Sequence, residues 1–362
     1  MKQKILLAII IILPIIIFSS SGILKGIAYI EWKVLSTQST KLYKKKHYSK
    51  ALLVAKHSLK IAEKISPSGI RVAKSLNNLA LAYNAKGQYK KAEAAYHRSL
   101  EIKKKILKKE DPDFIRGLIN YAHNYVSQAR FSDALALNKQ ALALQKKSLG
   151  INHLSTAKTL NAIGEIYGKQ KRFQKAKKFF NESLQIRKKI LDPKSLEIAT
   201  SLNNLAAIDY YEENYDKAIT LYNQALTIRK KHYGLYHSSI SVSLNNIAAV
   251  YMKQQEYAKA TEYFTQALQV LEKDSEPKPD SLASSLANLA WSFKEQKKYQ
   301  EAEGYYLRSL EIKEKIYTSN HPSLMMTLSS LVELYKEMGK NSDAEDLEER
   351  IKNLKQSKRE KN

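Results

Sequence analysis

The chain of 362 residues contains no cysteine. This excludes disulfides, zinc–thiolate sites and a thiol nucleophile. A Gly-rich phosphate loop, a His-Glu-x-x-His helix and a Gly-x-Ser-x-Gly elbow are also missing, so no familiar catalytic arrangement has a foothold, and neither an enzyme nor a bound cofactor or metal is expected. Acidic residues are scarce: 35 Asp+Glu stand against 61 Lys+Arg, a formal net charge of +26. Such an excess invites a polyanion or an anionic surface as partner. No DNA- or RNA-binding signature accompanies it, so nucleic acid is not expected.

What the chain does have is a period. Leucine recurs every 42 residues at Leu76, Leu118, Leu160, Leu202, Leu244, Leu286 and Leu328, with no insertion between copies. A fixed period of this size means one supersecondary unit stacked on copies of itself. Leu76, Leu79, Ala80 and Tyr83 fall at i, i+3, i+4 and i+7, which puts an apolar stripe on a first helix. A turn follows at Gly87-Gln88. Tyr89, Ala92, Tyr96, Ser99 and Leu100 mark a second helix, in which small residues admit the partner helix and the aromatic fills the gap. Asp111-Pro112, Asp192-Pro193 and His321-Pro322 end one pair and begin the next. The expected fold is therefore all-α, a solenoid of antiparallel helix pairs whose core lies between repeats, so the array counts as one domain.

Leu-x-x-Leu-Ala/Gly-x-x-Tyr followed by Ala-x-x-x-Tyr/Phe resembles the tetratricopeptide (TPR) pattern, with leucine in place of the usual tryptophan. The 42-residue length, the Ser-Leu-Asn-Asn-Leu-Ala openings at 75–80 and 201–206, and the Gly-x-x-His linkers (Gly150/His153, Gly234/His237) look like the long repeats of kinesin light chains and related bacterial proteins. The resemblance implies seven units, 67–108, 109–150, 151–192, 193–234, 235–276, 277–318 and 319–360, the last a capping repeat, preceded by a degenerate copy over 31–66. Asp209, Asn138 and Glu348 replace aromatics of the pattern, and poorer packing is expected at Asp209 and Asn138, whereas Glu348 with Asn341 suits a polar end cap.

At the N-terminus, Lys2 and Lys4 precede an uncharged run over residues 5–24. Residues 1–30 read as a signal peptide or a transmembrane anchor, that is, an N-terminal hydrophobic helix, and the expected location is membrane-anchored or exported with the topology open.

The cations at 103–105, 146–147, 187–189 and 229–231 sit at the ends of second helices, where they complement the helix dipole, and read mainly as a solvated rim. His153, His237 and His321 share one linker position and read as turn residues, not ligands. The candidate binding surface is the first-helix face opposite the stripe. Its central row is Asn78, Asn120, Ala162, Asn204, Asn246, Asn288 and Ser330, amides able to hydrogen-bond an extended peptide's backbone. In related TPR proteins such groove asparagines often do this; bracing of neighbouring helices is the competing use, above all for Asn77, Asn161, Asn203 and Asn245. Beside the central row runs Lys74, Arg116, Lys158, Thr200, Val242, Ser284 and Met326; later copies add Trp291, Glu295, Glu333 and Glu337. The expected function is a non-catalytic scaffold that binds a peptide or protein segment, acidic over the early repeats. Binding of a lipid or polyanion surface through the outer rim is the alternative; the oligomeric state stays open.

Overall fold

The computed structural model describes residues 20–276, 278–317 and 321–359. Among the described residues there are sixteen α-helices and no strand. They divide into two compact units, 1–151 and 152–362. The first contains α1 (Ser20–Lys44), α2 (Tyr48–Ile65), α3 (Ile70–Ala85), α4 (Tyr89–Ile106), α5 (Pro112–Ser127) and α6 (Phe131–Leu149). The second contains α7 (Leu154–Lys169), α8 (Phe173–Ile190), α9 (Leu196–Tyr211), α10 (Tyr215–Tyr233), α11 (Ser238–Lys253), α12 (Tyr257–Glu272), α13 (Pro279–Glu295), α14 (Tyr299–Ile316), α15 (Pro322–Glu337) and α16 (Asn341–Arg359).

Within each unit the helices form successive hairpins, and each hairpin packs on the next. The seven periodic leucines are all buried, as are Ala92, Ala134, Ala176, Ala218, Ala260 and Ala302 at the close approach of the paired helices. The aromatic at the position of Tyr96 seals the gap: Tyr96 joins Leu76, Ala80 and Tyr121 in the first unit, and Phe264 joins Ala248, Leu286 and Leu289 in the second. Where a serine stands three residues after this position, the hydroxyl ties the pair together by donating to a first-helix carbonyl, from Ser99 to Ala73 (2.6 Å), Ser183 to Ala157 (2.8 Å) and Ser309 to Ala283 (2.7 Å).

Helix starts follow from capping. The Asp111 carboxylate accepts from the Asp113 amide at 2.7 Å, ahead of Pro112 in the first helical turn, where its missing N–H costs nothing. His153, His237 and His321 cap in the same way: the imidazole Nδ1 accepts from the amide two residues on, at 3.1, 3.1 and 3.2 Å. Tyr233 and Tyr317 stack flat on the last two of these rings. The turn reading of these histidines thus has a specific physical form, and no metal-holding group of His, Asp and Glu occurs among the described residues.

The hairpin turn repeats equally strictly. Its pivot has positive φ at Gly87, Ala129, Lys171, Glu213, Gln255, Lys297 and Gly339. One residue later the amide reaches back five residues to the first helix, as from Gln88 to the Tyr83 carbonyl at 2.9 Å and from Lys298 to that of Phe293 at 3.0 Å.

The expected N-terminal membrane anchor is corrected. Among the described residues no helix is long and apolar enough to cross a membrane. The described part of α1 carries Lys25, Glu31, Lys33, Lys41 and Lys44, and it is held to the repeats: the Trp32 indole N–H donates to Ser75 Oγ at 2.9 Å. The apolar run at residues 5–18 lies outside the described residues. A membrane-anchored or exported location therefore has no support here, and neither has a membrane partner.

Candidate binding groove

In the second unit first helices touch in sequence, α7 with α9 and α13 with α15, so their outward rows lie side by side; α3 does the same with α1 and α5 in the first. The amide row has a structural occupation that spacing alone left open. Asn120 Nδ2 donates to Asn77 Oδ1 (3.0 Å), Asn204 to Asn161 (3.1 Å) and Asn246 to Asn203 (3.1 Å). Each of these three central-row amides thus grips the inner-row amide of the preceding repeat. Asn78, the first of the row, donates to Ser36 and Thr40 on α1. The signal for this pairing was in the sequence, in the Asn-Asn doublets at 77–78, 203–204 and 245–246. In Asn120 and Asn246 one hydrogen of the NH₂ group goes to the neighbour and the second can serve a ligand, whereas Asn204 also donates to Glu165 at 3.5 Å; the side-chain oxygens of all three can serve a ligand.

Around the amides the two units differ. In the first, Lys74 pairs with Asp113 at 3.3 Å and Arg116 pairs with the same carboxylate. These cations, together with buried Lys103, hold the Asp113 carboxyl below the usual range although its burial works the other way. The early cations are thus partly neutralised from within. Lys158 is exposed on α7 in the second unit.

The later part of the second unit opens into a cleft of about 590 Å³ between α13 and α15. Asn288, Trp291, Glu295, Met326 and Glu333 line it, and Tyr306 and Lys313 of α14 form its floor. Within the cleft Trp291 is 38% exposed and Met326 71% exposed, so both large apolar side chains are open to a ligand. The Trp291 indole N–H donates to Glu295 at 3.0 Å, which fixes the ring against its own helix. Lys294 is engaged by Glu333 at 3.3 Å and Glu337 at 3.2 Å.

Two features escaped sequence reasoning. At several second-helix ends one cation points inward. Lys103 Nζ donates to the Asp113 carbonyl (2.9 Å), Arg187 to the Glu197 carbonyl and Ser201 (both 2.7 Å), and Lys313 to Thr327 (2.7 Å), each bracing the next repeat's first helix. Burial lowers the Lys103 pKa to about 8 and lowers those of Arg187 and Lys313 too. The signal was positional, because all three sit at one repeat position and the rest of each run sits on the surface. The second feature is Asp209. Instead of a poorly packed gap, its buried carboxylate receives Lys177 of the preceding repeat at 2.6 Å, and Lys177 also reaches Glu212 at 2.9 Å, while Tyr211 stacks on Phe173. Asn138 fits the expectation of poorer packing better, since its buried Oδ1 has no partner.

These features define a helical repeat array with one variable face. Tetratricopeptide repeat models match residues 71–147, 113–189, 155–231, 239–315 and 294–357, more than half of the chain. The chain belongs to the tetratricopeptide repeat family. A search of curated proteins finds no match. Among solved structures, BtubC (BKLC) from P. vanneervenii is 23% identical with a TM-score of 0.54, covering 62% of this chain and 90% of that one. A putative kinesin light chain of P. anserina with nearly identical TPR-like repeats is 24% identical with a TM-score of 0.50, covering 57% and 97%. The apo quorum sensor NprR from B. thuringiensis is 15% identical with a TM-score of 0.66, covering 98% and 92%. At these identities the likeness is one of fold, and it bears out the long-repeat resemblance.

Proposed function

We propose that this protein is a non-catalytic scaffold whose units each offer a first-helix face to an extended peptide or protein segment. Lys74, Asn78, Arg116 and Asn120 serve it in the first unit, and Lys158, Asn204, Asn246, Asn288 and Trp291 in the second. The observation that supports this reading most is Trp291, a large side chain left half-exposed beside Asn288 in a cleft. Exposed aromatics in concave sites are where binding energy concentrates. The amides add backbone recognition that is indifferent to ligand side chains, through the atoms the inter-repeat bonds leave over.

The test is selection of a displayed random dodecapeptide pool on the full chain. Selected peptides are expected to lose binding to N204A/N246A, with helicity by circular dichroism retained. The same variant is expected to lose about 1 kcal/mol of stability per inter-repeat hydrogen bond. Binding that survives this variant and W291A but vanishes when Lys188, Lys189, Lys230 and Lys231 are neutralised would move the functional surface to the basic rim. Ion pairs such as Lys147–Glu110 (2.6 Å) and Arg98–Glu63 (2.8 Å) already occupy part of the cationic population of the second helices, which favours the groove.

A further inference from the structure

We infer that the cleft between α13 and α15 is an anchor site for a cationic side chain, an arginine or lysine flanked by apolar residues in the bound segment. The inference rests on the groove reading and gives its late end a chemistry opposite to that of the early repeats. Three observations carry it. The first is the indole of Trp291, 38% exposed, in a cleft that Met326, 71% exposed, also lines. Such a ring attracts a guanidinium or ammonium through its quadrupole, and the thioether in the same cleft offers apolar surface to the flanking residues of the segment.

The second is charge. Glu295 and Glu333 line the cleft, and the largely buried Lys294 is shared between Glu333 and Glu337 just outside the lining. Glu295 receives the neutral Trp291 N–H and, among the described residues, has no cationic partner. Lys313 lies beneath, turned to the Ser323 carbonyl and Thr327, with its pKa lowered by burial. Within the lining two carboxylates and two lysines balance, but both lysines are already held, Lys294 by Glu333 and Glu337 and Lys313 by Ser323 and Thr327, which leaves Glu295 for an incoming cation in a chain whose formal charge is +26. The third is space. The residues that precede Trp291 and Glu333 in their row are Ala207 and Ala249, so a ligand chain lying along α9, α11 and α13 meets small side chains until it reaches the indole.

The test labels the full chain with 5-fluorotryptophan. There are two tryptophans, so ¹⁹F NMR gives two resonances, and W291F assigns the one from the cleft. The probes are three acetylated, amidated pentapeptides, Leu-Arg-Leu-Arg-Leu, Leu-Glu-Leu-Glu-Leu and Leu-Gln-Leu-Gln-Leu. The arginine peptide is expected to shift the Trp291 resonance and leave that of Trp32 in place, to bind at least tenfold more tightly than the other two, and to lose about tenfold of that affinity in E295Q/E333Q. Equal shifts with all three peptides would overturn the cationic preference while leaving the groove as the binding face. No Trp291 shift with the arginine peptide would overturn it as well, and the dodecapeptide selection then decides separately whether the groove binds at all.

Discussion

The faces of the two units answer the same repeat in opposite ways. In the first, Lys74 and Arg116 converge on Asp113, so polar groups near the amides satisfy one another. In the second, Trp291 and Met326 line a cleft in which Glu295 has no cationic partner among the described residues. Beneath both faces the framework is the same: periodic leucine, small residue at the helix crossing, aromatic plug, inward cation and left-handed pivot. The interior is thus held constant while the face varies, which is how a repeat array acquires specificity without changing fold.

The largest expected effect tests the constant part. Tyr96 and Phe264 occupy one position in the two units and are both buried almost completely. Replacing either by alanine removes a large buried ring and is expected to cost about 3–5 kcal/mol in denaturant unfolding. Hydrogen exchange should rise around α3–α5 for Y96A and around α11–α13 for F264A. If one substitution is tolerated and the other is not, the interiors are not equivalent and the comparison fails.

The inward cations come next. Lys103 binds its proton less readily when folded (pKa about 8) than when unfolded (near 10.5), because burial penalises the charge. A folded-state pKa below the unfolded one means that the unfolded chain holds more protons between those values, so this residue makes stability rise with pH from about 8 to 10.5. The shift corresponds to roughly 3 kcal/mol at neutral pH, partly offset by the hydrogen bond to the Asp113 carbonyl. K103M is therefore expected to be more stable than wild type at pH 7 by about 1–2 kcal/mol and to lose the rise above pH 8. Lys313, displaced in the same direction, should behave alike in K313M. Urea titrations across pH check both, and a destabilised K103M would show that its bond to the next repeat outweighs desolvation.

The fold was legible because its causes are local and periodic: Leu76 and its counterparts, the small Ala92 series and the Asp-Pro starts each declare themselves at short range. The site was legible only as rows. Spacing put Asn204, Asn246 and Trp291 on one face, but whether an amide turns to its neighbour or to solvent depends on distances between helices 42 residues apart. The same limit hid Lys103 and Arg187 among surface cations and let Asp209 pass for a defect, since Lys177 approaches it from another repeat. At the N-terminus, composition over residues 1–30 suggested a membrane segment, whereas α1 is charged and bound to the first repeats through Trp32 and Ser75.

The smallest expected effect concerns the hairpin pivot, the feature least dependent on either face. Gly87 in the first unit and Gly339 in the second adopt positive φ, 72° and 73°, without a side chain. Ala129 (φ 57°) and Lys297 (φ 61°) hold the same conformation with one. In this region a Cβ crowds the following carbonyl, at a cost of about 1 kcal/mol, and glycine escapes it. A glycine at the pivot also enlarges the freedom of the unfolded chain, which takes back part of the gain. A129G and K297G are therefore each expected to stabilise by about 0.5 kcal/mol, and G87A and G339A to destabilise by about 1 kcal/mol, with equal values in the two units. No Cβ contact would form at Gly87 or Gly339 within 4 Å, so backbone conformation alone sets the sign. For K297G, Lys297 is exposed and its backbone amide keeps its bond to the Lys294 carbonyl (2.8 Å) after substitution, so loss of contacts does not blur the measurement. Thermal unfolding of the four single variants decides it. A K297G that is less stable than wild type would mean that the lysine side chain contributes something at this turn that its backbone geometry conceals, and the pivot would no longer count as part of the common framework.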